Sequence, residues 1–310
     1  MIKRWMIVGL FFLSGAGALI AQNKSGYPDV PVFKPYLGVP GRIVKYNNFN
    51  YLIIPDSSGE HTRQSTGNYW EVSYVYDSLF RQKKKFRDFA IQQIKKNHGI
   101  LFFRDTLQLN FGIRKPGGNL WGRFVFLNDR VYRLRLIKET VFINRLKLDT
   151  LQDVRYDIAI PPVDLPPRIN FLPNSVIKRV TESKYNHYTF TYDVKDTLYT
   201  QVVMGPYWDL KLQVQRPDGK VDKKVSTVEV LESYYRSVLK AGGKIVKSRP
   251  RELVFTLPVK QSTLWCRIMS SIDGTYFMKV LIQSPEDQLP LKKKVLTYRA
   301  MSDSSKRGIR

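Results

Sequence analysis

The chain has 310 residues, 43% of them apolar and 13% aromatic, which allows two domains of ordinary size with real cores and excludes a disordered chain. Lys and Arg number 51 against 26 Asp and Glu, a net charge of +25 that exceeds what solubility needs and points to anionic partners. The single cysteine, Cys266, excludes an internal disulfide; set in Leu264-Trp265-Cys266, it reads as a small buried strand residue rather than a nucleophile.

Residues 1–21 read as a secretory signal. Lys3 and Arg4 supply the charge, Ile7 to Leu13 the apolar stretch, and Ala16-Gly17-Ala18 or Ala21-Gln22 the cleavage site. The apolar segment is short for a membrane span and is broken by Gly and Ser. No cysteine follows it, which excludes lipidation there. Loss of Lys3 and Arg4 leaves 25 − 2 = +23. In an exported chain that charge is expected to meet lipopolysaccharide, anionic lipid, acidic glycan or an acidic envelope protein; nucleic acid is not expected.

Residues 22–38, with Tyr27-Pro28, Val30-Pro31 and Pro35-Tyr36, are expected to form an extended leader lying on the first domain. Ile43 to Ile54 predicts one or two strands with a turn at Asn47-Asn48, 55–65 a loop, and Tyr69 to Tyr76 a strand. A helix is predicted over 80–97, with Phe86, Phe89, Ala90 and Ile94 on one face and His98-Gly99 as its stop. Four strands follow over 100–104, 107–114, 120–127 and 131–138, the last two joined by a hairpin turn at Asn128-Asp129. Residues 141–166, ending in a proline-rich run, read as a semi-rigid spacer or as an arm packed on a sheet edge. Ser226-Thr227-Val228-Glu229 has the spacing of a capping box ahead of a helix buried through Leu231, Tyr234, Val238 and Ala241 and ended by Gly242-Gly243. Strands over 253–257, 264–269 and 275–282 follow, with Asp273-Gly274 as a turn, and residues 286–310 read as a loose basic tail.

The two halves repeat. Gly67-Asn68-Tyr69-Trp70 faces Gly205-Pro206-Tyr207-Trp208 at an offset of 138. Gly99, Leu109, Phe111, Leu120-Trp121, Asp129 and Tyr132 face Gly243, Leu253, Phe255, Leu264-Trp265, Asp273 and Tyr276 at 144. The six-residue difference falls at Arg216-Pro217-Asp218-Gly219, a turn sequence where insertions belong. The expectation is an α+β protein of two tandem copies, each with one helix on a mostly antiparallel sheet: 39–140 and 167–285, joined by the 141–166 linker.

Pro40-Gly41, Pro173-Asn174, Ala241-Gly242-Gly243, Trp265 and Asp273-Gly274-Thr275-Tyr276 together resemble the duplicated α+β region that precedes the OmpA-like module in some OmpA-family envelope proteins. The resemblance spans about residues 27–283. Residues after 285 do not match the OmpA-like module, so peptidoglycan binding is not carried over. The resemblance implies a Gram-negative envelope protein, periplasmic and associated with the outer membrane.

The sequence shows no catalytic constellation. His61, His98 and His187 have no partners at metal-ligand spacing, no nucleophile elbow is present, and no cofactor motif occurs. Trp70, Trp121, Trp208 and Trp265 fall at matching strand positions, as core landmarks do. The candidate site residues are three lysine clusters: Lys83, Lys84 and Lys85, Lys220, Lys223 and Lys224, and Lys292, Lys293 and Lys294. The function these features imply is non-enzymatic binding of an anionic envelope component through a basic surface. The alternative is an adaptor or structural subunit of a multi-protein envelope complex.

Overall fold

The computed structural model describes residues 27–33, 41–55, 62–75, 83–128, 130–148, 154–194, 197–287 and 292–295. The signal segment, His61, Asp129 and residues 296–310 lie outside them. The fold is α+β: two largely antiparallel sheets carry one helix each.

The first sheet is built from β1 (Arg42–Pro55), β2 (Thr62–Val75), β3 (Ile100–Arg104), β4 (Gln108–Ile113), β5 (Leu120–Phe126) and β6 (Val131–Glu139), in the order β1-β2-β6-β5-β4-β3. Helix α1 (Lys83–Lys96) lies between β2 and β3 in the chain. The second sheet comprises β7 (Arg155–Tyr156), β8 (Ser175–Val194), β9 (Thr197–Val214), β10 (Lys244–Arg249), β11 (Glu252–Val259), β12 (Ser262–Ile272) and β13 (Thr275–Gln283), with α2 (Thr227–Lys240) between β9 and β10. Its order is β10-β11-β12-β13-β9-β8-β7, and β14 (Lys292–Val295) adds to β9. Setting β7 and β14 aside, the two orders are the same. The registers agree as well: Trp70 lies opposite Leu136 and Trp208 opposite Val280.

Alternation in the strands explains the layers. In β6, Tyr132, Leu134 and Leu136 face the core beneath α1, where Phe86, Ala90 and Ile94 meet them. In the second sheet Leu210, Leu212, Tyr276, Met278 and Val280 receive Val230, Leu231, Tyr234 and Val238 of α2. Smaller apolar clusters occupy the opposite faces, around Tyr69, Trp121 and Ile137 in the first sheet and Tyr207, Phe190 and Leu281 in the second. Trp121 and Trp265 therefore belong to the opposite face from Trp70 and Trp208. Cys266 is fully buried beneath α2. The first-sheet position in that register is Gly122, where a Cβ would come 2.1 Å from the Phe111 ring.

Each sheet is crossed by an extended strap. The indole of Trp70 donates to the Pro28 carbonyl at 3.2 Å, and Phe33 meets Phe111 and Phe124 edge-on. The indole of Trp208 donates to the Asp164 carbonyl at 2.7 Å. Residues 141–148 also pack: Leu146 and Leu148 are buried, and the Asn144 amide donates to Ser237 Oγ at 2.8 Å. The 141–166 segment is thus bound along much of its length, because its alternating apolar residues find the second core.

Several local expectations change. Asn47-Asn48 is not a turn but a bulge inside one continuous β1. Residues 62–65, expected in a loop, open β2. Helix α1 does end just before His98-Gly99, and His98 takes the left-handed conformation there, with φ 56°. Residues 292–295 are not loose tail; they pair with Thr197–Thr200, satisfying backbone groups of β9 beyond the reach of β13.

A buried tyrosine ties the second core together. Tyr276 Oη lies 2.9 Å from Ser175 Oγ and accepts from the Leu172 amide at 3.3 Å. Tyr276→Phe leaves both groups buried without that partner, and a destabilisation of about 2 kcal/mol is expected in urea unfolding.

Candidate functional site

The three lysine clusters do not form one surface. Lys83, Lys84 and Lys85 open α1, whose first turn carries no acidic residue; the Lys83 ammonium sits 6.0 Å over the Phe126 ring. Lys220, Lys223 and Lys224 lie in the loop between β9 and α2, and the backbone of that loop docks on the first sheet. The Asn48 amide donates to the Lys224 carbonyl at 2.9 Å, and the Asn47 side chain to the Lys223 carbonyl at 3.0 Å. Asn47 stands level with Ile137, whereas Phe126 stands level with Tyr132. Five residues of β6, roughly 17 Å, separate those levels. Lys292, Lys293 and Lys294 pair at the other end of β9, roughly 45 Å along the strand from the second cluster.

The second cluster does line a concave surface. Arg216, Lys220, Lys223 and Lys224 border a groove of about 440 Å³ with Tyr27 and Asp222. Arg216 is paired with Asp218 at 2.8 Å. The Asp222 carboxylate accepts from the Lys224 backbone at 3.0 Å. Among the described residues, the three lysine ammonium groups have no ion-pair partner.

A second concave site lies between the sheets. The bulge in β1 frees the Asn48 amide for the contact above and presents the Phe49 carbonyl to Ser226 Oγ. Ser226 caps α2 by accepting from the Glu229 amide at 3.0 Å, so the helix start is fastened to β1. Beside it, Lys45 Nζ reaches Asp273 Oδ2 at 2.7 Å. Asp273 also accepts from Asn47 Nδ2 and the Thr227 amide, both at 3.3 Å. These contacts close one end of a cleft of about 550 Å³. Its first-sheet wall carries Lys45, Tyr69, Glu71, Arg123 and Arg135, and its second-sheet wall Thr227, Arg251 and Asp273.

The first-sheet wall is one cross-strand row. Lys45, Glu71, Arg135, Arg123 and Asn110 stand directly opposite one another across β1, β2, β6, β5 and β4. Glu71 Oε1 is 3.3 Å from Arg133 Nε and 3.8 Å from Arg135 Nε, and Tyr69 Oη donates to Glu71 Oε2 at 3.3 Å. Arg123 Nε donates to Asn110 Oδ1 at 2.8 Å and its Nη2 to the Ile53 carbonyl at 2.9 Å, both neutral acceptors. Burial, and then the Arg135 charge, pull the Arg123 guanidinium below its ordinary pKa. Burial, and then the Glu71 charge, push the Tyr69 phenol up.

This arrangement supplies charge-assisted donors. Both carboxylates of the cleft are held by cations. His187 lies on the exposed face of β8 and His98 at the end of α1, neither of them in the cleft. No group of three or more His, Cys, Asp or Glu among the described residues is arranged to hold a metal. The basic row is not contiguous in the sequence, unlike the lysine runs. Its signal is alternation, Arg133-Leu134-Arg135-Leu136, together with Gln108 in the place that corresponds to Glu252. No protein-family model and no curated protein matches the chain.

Proposed function

We propose that this protein is an exported, non-enzymatic binding protein of a Gram-negative cell envelope, associated with the outer membrane, whose basic surface holds an anionic lipid or lipopolysaccharide phosphate. Its scaffold is two tandem copies of one α+β unit. The shared strand order, the matching tryptophan registers and the matching straps support that duplication. The observation that carries the binding role is the groove of Arg216, Lys220, Lys223 and Lys224, cationic side chains gathered on a loop whose backbone is pinned to the other sheet. A fixed concave cationic surface loses less side-chain freedom on binding than a mobile run would.

The test is co-sedimentation with phosphatidylglycerol vesicles against phosphatidylcholine vesicles over a salt series. Each lysine near an anionic surface contributes about 1 kcal/mol. The triple replacement Lys220→Ala, Lys223→Ala, Lys224→Ala is therefore expected to weaken binding about a hundredfold at low salt. Binding indifferent to lipid charge and to salt would refute this reading.

One observation favours the adaptor reading. β8 bulges between Ser183 and Asn186, the register at which β1 bulges to meet the second sheet. Tyr185 there is 59% exposed, where Phe49 of β1 is 7% exposed. A stoichiometric protein cross-linked at this bulge in whole cells, with no lipid binding, would favour an adaptor.

A further inference from the structure

We infer that the cleft between the two sheets is a binding site for a phosphate group carried on a small organic molecule, held by Arg123 and Arg135 with Lys45 and Arg251 at the rim. The site is separate from the lysine groove, so the inference stands or falls independently of the lipid-surface reading.

Charge is the first argument. Asp273 balances Lys45. Glu71 alone faces both Arg133 and Arg135, and Arg123 has only neutral partners. The residues that border the cleft thus carry four cations, Lys45, Arg123, Arg135 and Arg251, against two carboxylates, Glu71 and Asp273. A phosphate monoester carries a charge of about −1.5 to −2 at neutral pH, and its geometry suits guanidinium donors.

Donors are the second argument. Five buried side-chain N or O atoms among the described residues lack a hydrogen-bond partner. Four are N–H donors on this one face of the first sheet, Asn110 Nδ2, Trp121 Nε1, Arg133 Nε and Arg135 Nε; of these residues Arg135 borders the cleft, and the two arginine Nε atoms have Glu71 Oε1 at 3.3 and 3.8 Å without a hydrogen bond to it. Buried polar groups are normally satisfied, so a face with this surplus of donors is short of acceptors, which a phosphate brings.

The second sheet serves as an internal control. In the same register it carries Asp209, Lys279 and Arg267. There Lys279 meets Asp209 at 2.6 Å, and Arg267 meets Glu252 at 2.6 Å. The position corresponding to Glu252 in the first sheet is Gln108. The first sheet lacks that carboxylate and also the Lys247 that pairs with Glu252 at 2.6 Å, Phe103 standing at that register, while Arg133 stands where the second sheet has Phe277. A cleft of about 550 Å³ falls within the range of small-molecule sites and has room for more than a bare anion.

Calorimetric titration of the full chain at low ionic strength with glucose 6-phosphate, inorganic phosphate and glucose tests this. Glucose 6-phosphate is expected to bind with a sub-millimolar Kd, inorganic phosphate more weakly, and glucose not at all. Gln108→Glu restores the missing carboxylate in a geometry the second sheet already accommodates. It is expected to weaken glucose 6-phosphate about tenfold or more while leaving the urea midpoint unchanged or raised. Arg135→Gln is expected to weaken it further, and Glu252→Gln in the second sheet to leave it unaltered. Failure of glucose 6-phosphate to bind, or equal binding by the native chain and Gln108→Glu, overturns the inference. Tighter binding of inorganic phosphate than of glucose 6-phosphate overturns the assignment to an organic phosphate and leaves a free-anion site.

Discussion

Gly205→Ala lowers the free energy of unfolding by about 3–5 kcal/mol, and Gly67→Ala does the same. Both glycines stand where a long strand passes the end of its neighbour, with φ of 140° and 152°. An L side chain at such angles costs about 1–3 kcal/mol in backbone strain alone. The added Cβ would also meet the Ile282 carbonyl oxygen at 2.0 Å from position 205, and the Lys138 carbonyl oxygen at 1.9 Å from position 67. The obstructing atoms are backbone in a paired strand, so they cannot rotate away as the tip of a side chain would. Overpacking of this kind adds about 1–3 kcal/mol. At an m-value of about 3 kcal/mol/M the urea midpoint falls by roughly 1 M, read by tryptophan fluorescence. Gly117→Ala is the control. Its φ is 78°, but nothing lies within 4 Å of the added carbon, so it costs only about 1–2 kcal/mol. A midpoint for Gly205→Ala no lower than that of Gly117→Ala would show that the strand end yields.

These glycines also explain why so much of the architecture was legible. The Gly-x-Tyr-Trp stretches appear twice because each residue fills a fixed geometric role. The glycine passes a carbonyl, Tyr69 and Tyr207 face one side of the sheet, and Trp70 and Trp208 face the other. Period-two alternation located most strands, and the Ser226 cap with Gly242 bounded α2. Asn47-Asn48 carries a turn signal because its residues are turn formers. What keeps β1 extended is a bond to Lys224, 176 residues beyond Asn48. For 141–166 the sequence left a spacer and a packed arm both open, and the packed arm is what Leu146 and Leu148 make by reaching the second core.

The basic row lay further from view. Arg123 and Arg135 are neighbours only through the pairing of β5 with β6, and Asn110 joins them only through β4. Contiguous lysine runs advertise charge along the chain, but a site needs charge gathered across it. The structure separates the three runs and gathers the scattered arginines. Within one chain, the second sheet sets Glu252 between Lys247 and Arg267, where the first has Gln108.

The junction of the two sheets responds to pH through Glu229. Glu229 is the fourth residue of the capping box, and burial raises its carboxyl pKa to about 7, against the opposing influence of Arg145 and with a further push from Asp222. Its charge also helps to raise Tyr46 of the first sheet, which places the carboxyl near the contact between the sheets. One of its oxygens, Oε2, is buried with no hydrogen-bond partner. Between the ordinary carboxyl pKa of 4.5 and about 7 the native state holds a proton that the unfolded state has lost. Stability therefore falls as pH rises through that window, by about 2–3 kcal/mol in all. Glutamine at this position keeps the capping box and carries no charge. Glu229→Gln is thus expected to match the native chain near pH 4 and to exceed it by about 2–3 kcal/mol at pH 8 in urea unfolding. Because every other titrating group is common to both chains, the difference between them isolates this carboxyl. A difference that stays flat from pH 4 to pH 8 would mean that Glu229 is solvated and charged at the junction throughout.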